Sequence, residues 1–588
     1  MTPPPARLEA DVVVAGSGLG AVAAALAAAR TGRTVVLASP KRRLGGQATT
    51  QLVPALDEHP HVETGGVSRS YRTFRTLIRA RYGGVANPGG GWVSRLCFEP
   101  AAAEEALEEM LAPHIAGNRL TVLRAVTPVA VHQDGDRITA LDLRAADGRA
   151  ITVAGRVFCD ATEAGDLLPL TGTPWVCGSE GRDAFGESLA LPGAEQPQAV
   201  QSCTVGFVVE RLADGEEPPP VGPAPEGYEH WRDTQPFTLD IAGWDDRAHR
   251  YRVFREGPDG HLPFWTYRRL RDADTLGGRD AALINWAGND YAGVSSLAAP
   301  AHVYAEAKRL SAAFLHWLRT ECPRDDGGTG HPEFVLAPHV TGTDDGYAEE
   351  PYLRESRRLR TARPIRQQDL EAVPGRARAR TFHDSGGLAL YHMDLHSRVG
   401  HPRSAYAPTA PFQVPLSSLV APRPGNLLAA AKNLAATQVA ASAYRVHHGE
   451  WAVGEAAGAL AAQVCARATD PATITGDRTE LTLMQMQLTR FGVPIAWTLD
   501  VPDDHVHFVP VQLLAAAGAL DGDRSGDLDV HPDLPATPES VRPLRAAAEH
   551  LAGVRLPDPP SGATWAQAAA ALWAGVVPTL PGTPGVPA

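Results

Sequence analysis

Cysteine is scarce in this 588-residue chain: the six residues Cys97, Cys159, Cys177, Cys203, Cys322 and Cys465 lie far apart, with no C-x-x-C pair. That spacing excludes a zinc ribbon and a dithiol redox motif, and reads as isolated, mostly buried thiols in a reducing compartment. A basic excess is missing too. With 54 Lys and Arg against 67 Asp and Glu the formal net charge is −13, so no nucleic-acid partner is expected, because phosphate binding needs a concentrated basic surface. The Arg-rich stretch from Arg354 to Arg366 is local and mixed with Glu355, which suits an internal structural or site role. Met1 to Ala10 holds three prolines and no apolar core, unlike a secretory leader. Ala21 to Ala29 is apolar but shorter than the roughly 20 residues that span a bilayer. The expectation is a cytoplasmic protein without an integral membrane segment.

What is present is enough apolar residue for large cores, at 44% hydrophobic and 21% charged. The length suggests two to four domains at about 150 residues each. Near the start, Asp11-Val12-Val13-Val14-Ala15 has no alternation and reads as a buried parallel strand. Gly16-Ser17-Gly18-Leu19-Gly20-Ala21 follows and matches G-x-G-x-x-G/A. An Ala-rich run, Val22 to Arg30, has high helix propensity and stops near Gly32, and Thr34 to Ala38 reads as a second parallel strand. In this order Gly16 allows the tight turn, and Gly18 lets backbone approach a pyrophosphate. The small Ala21 lets helix pack on strand, while the helix N-terminus, with Gly20 in its first turn, offers N–H groups to the phosphates. The strand–loop–helix context is what separates a dinucleotide site from a chance glycine turn. Ser39 stands where an acidic residue would bind the ribose hydroxyls, and Lys41, Arg42 and Arg43 follow it. Ser39 could hydrogen-bond a ribose, and the basic run with Arg43 could suit a phosphate-bearing ligand, so NADP stays an alternative on this ground.

Leu44-Gly45-Gly46-Gln47 comes directly after the second strand. With it the chain resembles the FAD-dependent oxidoreductase family whose members carry a G-G-Q segment after the second strand of a flavin-binding Rossmann unit. Further segments that resemble this family are Asp57-Glu58-His59-Pro60, Gly91 to Cys97, Asp160 to Asp166, Arg354 to Arg358, Asn426 to Asn433, and Gly454 to Gly458. The similarity runs from about Asp11 to Ala466 in the family's order. Ser39 departs from the usual acidic residue, and Lys432 sits where an Arg is common. The resemblance implies FAD as cofactor, with Ala161 and Thr162 in a turn against the dinucleotide. It also implies that a late strand and helix, carrying Asn433, Gly454 and Ala457, return to the flavin.

Each segment has a physical reading of its own. Gly45-Gly46 lets backbone pass close to a ligand, and the Gln47 amide could bond a flavin edge or a substrate. Val122 to Val131, with Val129 taken as a cofactor contact, and Arg137 to Leu143 read as short strands around the turn Asp134-Gly135-Asp136, a small β-meander. Asn426 to Ala431 has a buried-strand pattern, and Trp451 to Ala462 reads as a small-residue helix opening near Gly454. A helix N-terminus beside the flavin's pyrimidine end would stabilise negative charge there. No second G-x-G-x-x-G in strand–helix context occurs, which argues against a separate NAD(P)H domain.

The substrate-binding part is expected between about Thr171 and Pro424. There Asn285 to Tyr291 reads either as the lining of a polar pocket or as a surface turn. Arg354, Glu355, Arg357 and Arg358 read either as fixed charges for a substrate or as a structural ion-pair network. Tyr391 to His396 places imidazoles beside carboxylates, with His392, Asp394 and His396 on one strand face; solvated histidines are preferred there over a metal site. His392, Arg357 and Arg445 are the catalytic candidates, and no metal ligand is assigned. Leu481 to Trp497 reads as a helix, and His505 to His531 followed by Pro538 to Leu551 resembles a degenerate S-layer homology motif.

The expected architecture is α/β: a Rossmann-type FAD-binding unit from residues 8–170 and 410–470, an inserted α+β substrate domain over 171–409, a small mostly helical region over 471–578, and a disordered tail at 579–588. The expected reaction is hydride transfer from a polar small molecule to flavin N5, with an unknown electron acceptor. The alternatives are an NADP-binding oxidoreductase and a redox-inactive dinucleotide-binding or assembly protein.

Overall fold

The computed structural model describes residues 6–213, 215–242, 248–522 and 526–580. The expected tail therefore lies outside the described residues from 581 onward, as does part of the turn inside the S-layer-like segment. The apolar run around Val12 to Val14 forms the strand β1 (Ala6–Ala15), and α1 (Leu19–Ala29) and β2 (Val35–Ala38) follow it. Every residue of α1 is buried. That is why its run of alanines carries no amphipathic stripe: both sides of the helix face protein.

β2 pairs in parallel with β3 (Leu120–Leu123), and β1 pairs in parallel with both β2 and the long strand β6 (Ala150–Asp160). The meander expected around Asp134 to Asp136 is present as β4 (Val126–Asp134) and β5 (Arg137–Ala145), antiparallel to each other and joined to the first half of β6. The second half of β6 pairs in parallel with β7 (Leu427–Ala429), inside the late segment expected to be a buried strand. The fold is thus α/β and Rossmann-type, with one sheet built from both the N-terminal part and a segment more than two-thirds of the way along the chain.

The late helix α2 (His447–Arg467) lies along α1. It begins at His447, not near Gly454, which corrects the expected start. A Cβ at Gly454 would strike the Gly20 carbonyl, and one at Gly458 the Ala24 carbonyl, so both glycines serve helix-to-helix approach.

Between these parts a four-stranded antiparallel sheet (Arg269–Arg271, Ala281–Ile284, Phe207–Arg211, Phe334–Leu336) has its own core with the helix Pro300–Thr320. Phe207, Phe314, Trp265 and Phe334 are buried there. Helices at Arg478–Arg490, Phe508–Leu514, Pro538–Ala552 and Trp565–Val576 make up the C-terminal region. Among the described residues no helix is long and apolar enough to cross a membrane. All six cysteines are unpaired, and five are buried.

Candidate functional site

Two clusters of polar groups meet at the short segment between Arg445 and Glu450. The first is the glycine cradle. Gly16 has φ +147° and faces the Ala161 carbonyl, leaving no room for a side chain. The Gly45 N–H donates to the Ser17 carbonyl at 2.7 Å, and a Cβ at Gly46 would lie 2.8 Å from Gly18 Cα. The G-x-G loop and the G-G-Q segment are therefore in direct contact, with Ala21 buried just behind them in α1. Gln47 is fully buried, and its Nε2 donates to the Arg445 carbonyl at 3.2 Å and to the Glu450 carboxylate.

The end of β6 closes the cradle. Asp160 is fully buried and accepts from the Thr162 N–H (3.0 Å), the Thr162 hydroxyl (2.7 Å) and the Leu167 N–H (3.1 Å). Burial nevertheless pushes its carboxyl up to about 7. Asn433 donates to the Asp160 carbonyl at 2.9 Å and accepts from the Ala431 N–H at 3.2 Å, tying the loop after β7 to β6. Lys432, buried beside them, pairs with Glu163 and stands 3.9 Å from Glu450. Burial alone would lower its ammonium; the charges of Glu163 and Glu450 raise it.

Glu450 itself is 1% exposed and accepts from the Gly20 N–H at 3.1 Å. Buried atoms nearby lack hydrogen-bond partners: Ser17 Oγ, Gln47 Oε1, both amide atoms of Gln51, and Glu163 Oε1. Buried groups of this kind mark a place built for further polar contacts. Donors and acceptors around a glycine loop at a helix N-terminus fit a dinucleotide.

The second cluster alternates charges. Arg268 pairs with Asp57 at 3.3 Å, Arg445 with Asp394 at 2.8 Å, and Arg354 with Asp290 at 2.9 Å. His396 bridges the last two pairs, its Nδ1 2.7 Å from Asp290 and its Nε2 3.3 Å from Asp394. Arg445 also donates to the Tyr352 hydroxyl at 2.7 Å. Burial opposes charge on both aspartates, but Arg354 and His396 hold Asp290 down at about 2, and His396 and Arg445 hold Asp394 lower still. Burial and Arg354 disfavour the charged His396 imidazole; Asp394 and Asp290 outweigh them and raise it. His447 and His448, in the first turn of α2, are pushed down to about 4 chiefly by burial and so stay neutral. The His447 Nδ1 accepts from the Asp57 N–H at 3.1 Å, which ties α2 to the loop carrying Asp57.

Of the expected site residues, the structure brings together Gly16, Gly18, Gly20, Ala21, Gly45, Gly46, Gln47, Ala161, Thr162 and Asn433, with Arg445 at the border of the second cluster. Others stand apart. Gly454 packs on α1 well inside α2, and Ala457 is buried three residues further along the same helix. Val129 lies at a bulge of β4 and is 41% exposed; it is Val126 whose N–H reaches the Ser39 carbonyl, at 2.9 Å. The Ser39 hydroxyl bonds both the N–H and the carbonyl of Lys41. Arg43 is paired with Glu104 and Lys41 with Glu350, while Arg42 between them is exposed. Arg357 binds Asp166 and the carbonyls of Ala164 and Leu297, and Arg358 is sealed between Glu355 and Glu180. His392 is exposed, flanked by the rings of Tyr391 and Tyr406, and lowered by burial of its inner face. Its strand neighbour His396 is the imidazole inside the cluster.

Glu450, Asp57, Arg268, Asp290 and Tyr352 were not singled out by sequence. The only signals were the segments around Asp57 and Asn285 to Tyr291; in the latter, Asn289 is fully enclosed and bonded to the Ile284 carbonyl and Ser311, Ala287 is exposed, and Asp290 reaches the cluster.

A protein family described as FAD dependent oxidoreductase matches residues 11–485. A search of curated proteins found no match. Among solved structures, L-proline dehydrogenase from P. horikoshii is 14% identical over 31% of this chain and 26% of that one, with a TM-score of 0.16. Anhydrotetracycline hydroxylase from Streptomyces rimosus is 15% identical over 36% and 39%, at 0.19. A geranylgeranyl bacteriochlorophyll reductase-like protein from Thermoplasma acidophilum is 14% identical over 35% and 49%, also at 0.19. In each case the matched region is less than half of the solved chain.

Proposed function

This chain belongs to the FAD-dependent oxidoreductase family, and from that we propose that it oxidises a small polar molecule by hydride transfer to bound FAD. The carrying observation is the segment from Arg445 to Glu450. At one end its Arg445 guanidinium sits among Asp394 and Tyr352, and at the other Glu450 reaches the first turn of α1. Six residues thus join a dinucleotide cradle to a wall of polar and charged groups, which is what a cofactor beside a polar substrate requires.

Gly16, Gly18, Gly20, Ala21, Gly45, Gly46, Gln47, Ala161, Thr162 and Asn433 would hold the dinucleotide, and the unpartnered Ser17, Gln47 and Gln51 atoms support that fit. When bound, FAD supplies the hydride acceptor; the protein supplies alignment and charge. Arg445, fixed by Asp394, orients the substrate's polar group. Its single charge is balanced, so the site suits a neutral or hydroxylated substrate better than a strongly anionic one. His392, exposed and held neutral, is the candidate base for a hydroxyl proton. Lys41 and Arg43 are already engaged by Glu350 and Glu104, which leaves Arg42 as the one residue of that run without a carboxylate partner among the described residues and supports FAD over NADP. The test is anaerobic reduction of the FAD-loaded protein by sugars, hydroxy acids and amino acids, read as bleaching of the flavin absorbance. A protein that binds FAD but is bleached by none of these classes would favour a redox-inactive binding protein.

A further inference from the structure

A carboxylate occupies the place on α1 where an anion belongs. The Gly18 side of the helix start has no capping side chain of its own, and the Gly20 N–H donates to Glu450 Oε1 at 3.1 Å. A Cβ at Gly18 would meet Glu450 Oε1 at 2.5 Å and Glu163 Oε1 at 2.7 Å, so these two carboxylate tips fill the space above the glycine loop. Resting on the FAD reading above, we infer that Glu450 is an internal stand-in for the diphosphate, and that FAD takes over the Gly20 N–H as Glu450 binds a proton.

Charge makes the exchange necessary. The groups facing Glu450 are Gln47 from the G-G-Q segment, Glu163 from the loop after β6, Lys432 from the loop after β7, and the Gly20 N–H from α1. On its own helix, His447 and His448 are neutral. Behind Glu163 lies Glu350, itself paired with Lys41. Among the described residues Lys432 is thus the single cation in contact with these two carboxylates, and a diphosphate adds further negative charge to a site closed to water. Glu450 is buried on a helix whose neighbour Gly449 is wedged against the Tyr444 carbonyl, so neutralisation is cheaper than swinging an ion outward. Burial and the Glu163 charge already favour its protonated form against the pull of Lys432. Gln47 Oε1, buried without a partner on the amide that touches Glu450, is the acceptor a protonated Glu450 would use after that amide turns over.

The test is FAD binding by the full-length, flavin-stripped protein, read by quenching of flavin fluorescence between pH 6 and 9. Calorimetry in two buffers of different protonation enthalpy counts protons. The expected result is weaker binding as pH rises, approaching about tenfold per pH unit where one proton is coupled, with close to one proton taken up per FAD. Glu450→Gln should bind at least about tenfold tighter at the alkaline end and lose both the slope and the proton uptake; Glu163→Gln should keep the slope. Wild-type binding that is independent of pH and proton-free, or a slope unchanged in Glu450→Gln, overturns the inference and leaves FAD binding intact. If Glu450→Gln does not fold, the wild-type proton count decides. No FAD uptake by the wild type at any pH overturns the FAD reading itself.

Discussion

His396 stands 2.7 Å from Asp290, a residue 106 positions earlier in the chain, and this contact locks the strand Met393–Leu395 to the inserted sheet region. Its energetics depend on pH in both directions. His396 is raised in the folded state, so its contribution is complete below the unfolded value of about 6.5 and fades as pH climbs through the folded value. Asp290 is depressed to about 2, so its contribution is complete above the unfolded value of about 3.9 and is lost as pH falls toward 2. The contribution of this pair should therefore be greatest between roughly pH 4 and 6.5. His396→Gln should flatten the alkaline limb in a denaturation series; an unchanged alkaline limb would exclude this role.

The same pair shows why the cluster was only half legible. The alternation of Tyr391 to His396 correctly put His392, Asp394 and His396 on one face, but alternation carries no information about which imidazole meets a partner. That depends on Asp290, and nothing local links the two. The arginine run was legible only in part for the same reason: Arg354, Arg357 and Arg358 are near neighbours in sequence, yet Arg354 pairs with Asp290 in the cluster, Arg358 is sealed between Glu355 and Glu180, and Arg357 pairs with the exposed Asp166.

The cradle was far more legible, because β1, α1 and β2 are consecutive and their order is the signal. The start of α2 was not. His447, His448 and Gly449 are poor helix formers and Val446 caps nothing with its side chain, so propensity pointed four to seven residues too late. Glu450 lies in that misread stretch.

Gly454→Val tests the helix pair. The added side chain would be driven into the Gly20 carbonyl, and overpacking of this kind costs about 1–3 kcal/mol. Chemical denaturation should show that loss, with FAD affinity falling too because Gly20 belongs to the cradle. An equally stable variant would mean that α1 and α2 can move apart.

Gly18→Glu should abolish FAD uptake, since its carboxylate would lie among those of Glu450 and Glu163. Thermal unfolding would separate lost binding from lost folding. Normal flavin retention in a folded variant would refute the placement of the diphosphate.

Arg445→Lys keeps the charge but cannot reach Tyr352 and Asp394 together, because a lysine lacks the planar fork. The FAD-loaded variant should keep its flavin and lose about tenfold or more of its reduction rate by substrate. A flavin-free variant would instead assign Arg445 to cofactor retention.

The double pairing of β6 has a consequence for how the chain is made. Its N-terminal half finds β5 at once, but its C-terminal half, with the Asp160 carbonyl, waits for Asn433, 273 residues downstream. At roughly 5–20 residues per second, a ribosome needs on the order of 15–55 s to deliver that partner. Through that interval the nascent polypeptide carries an unfinished sheet edge, the kind of open strand that can pair wrongly with other chains.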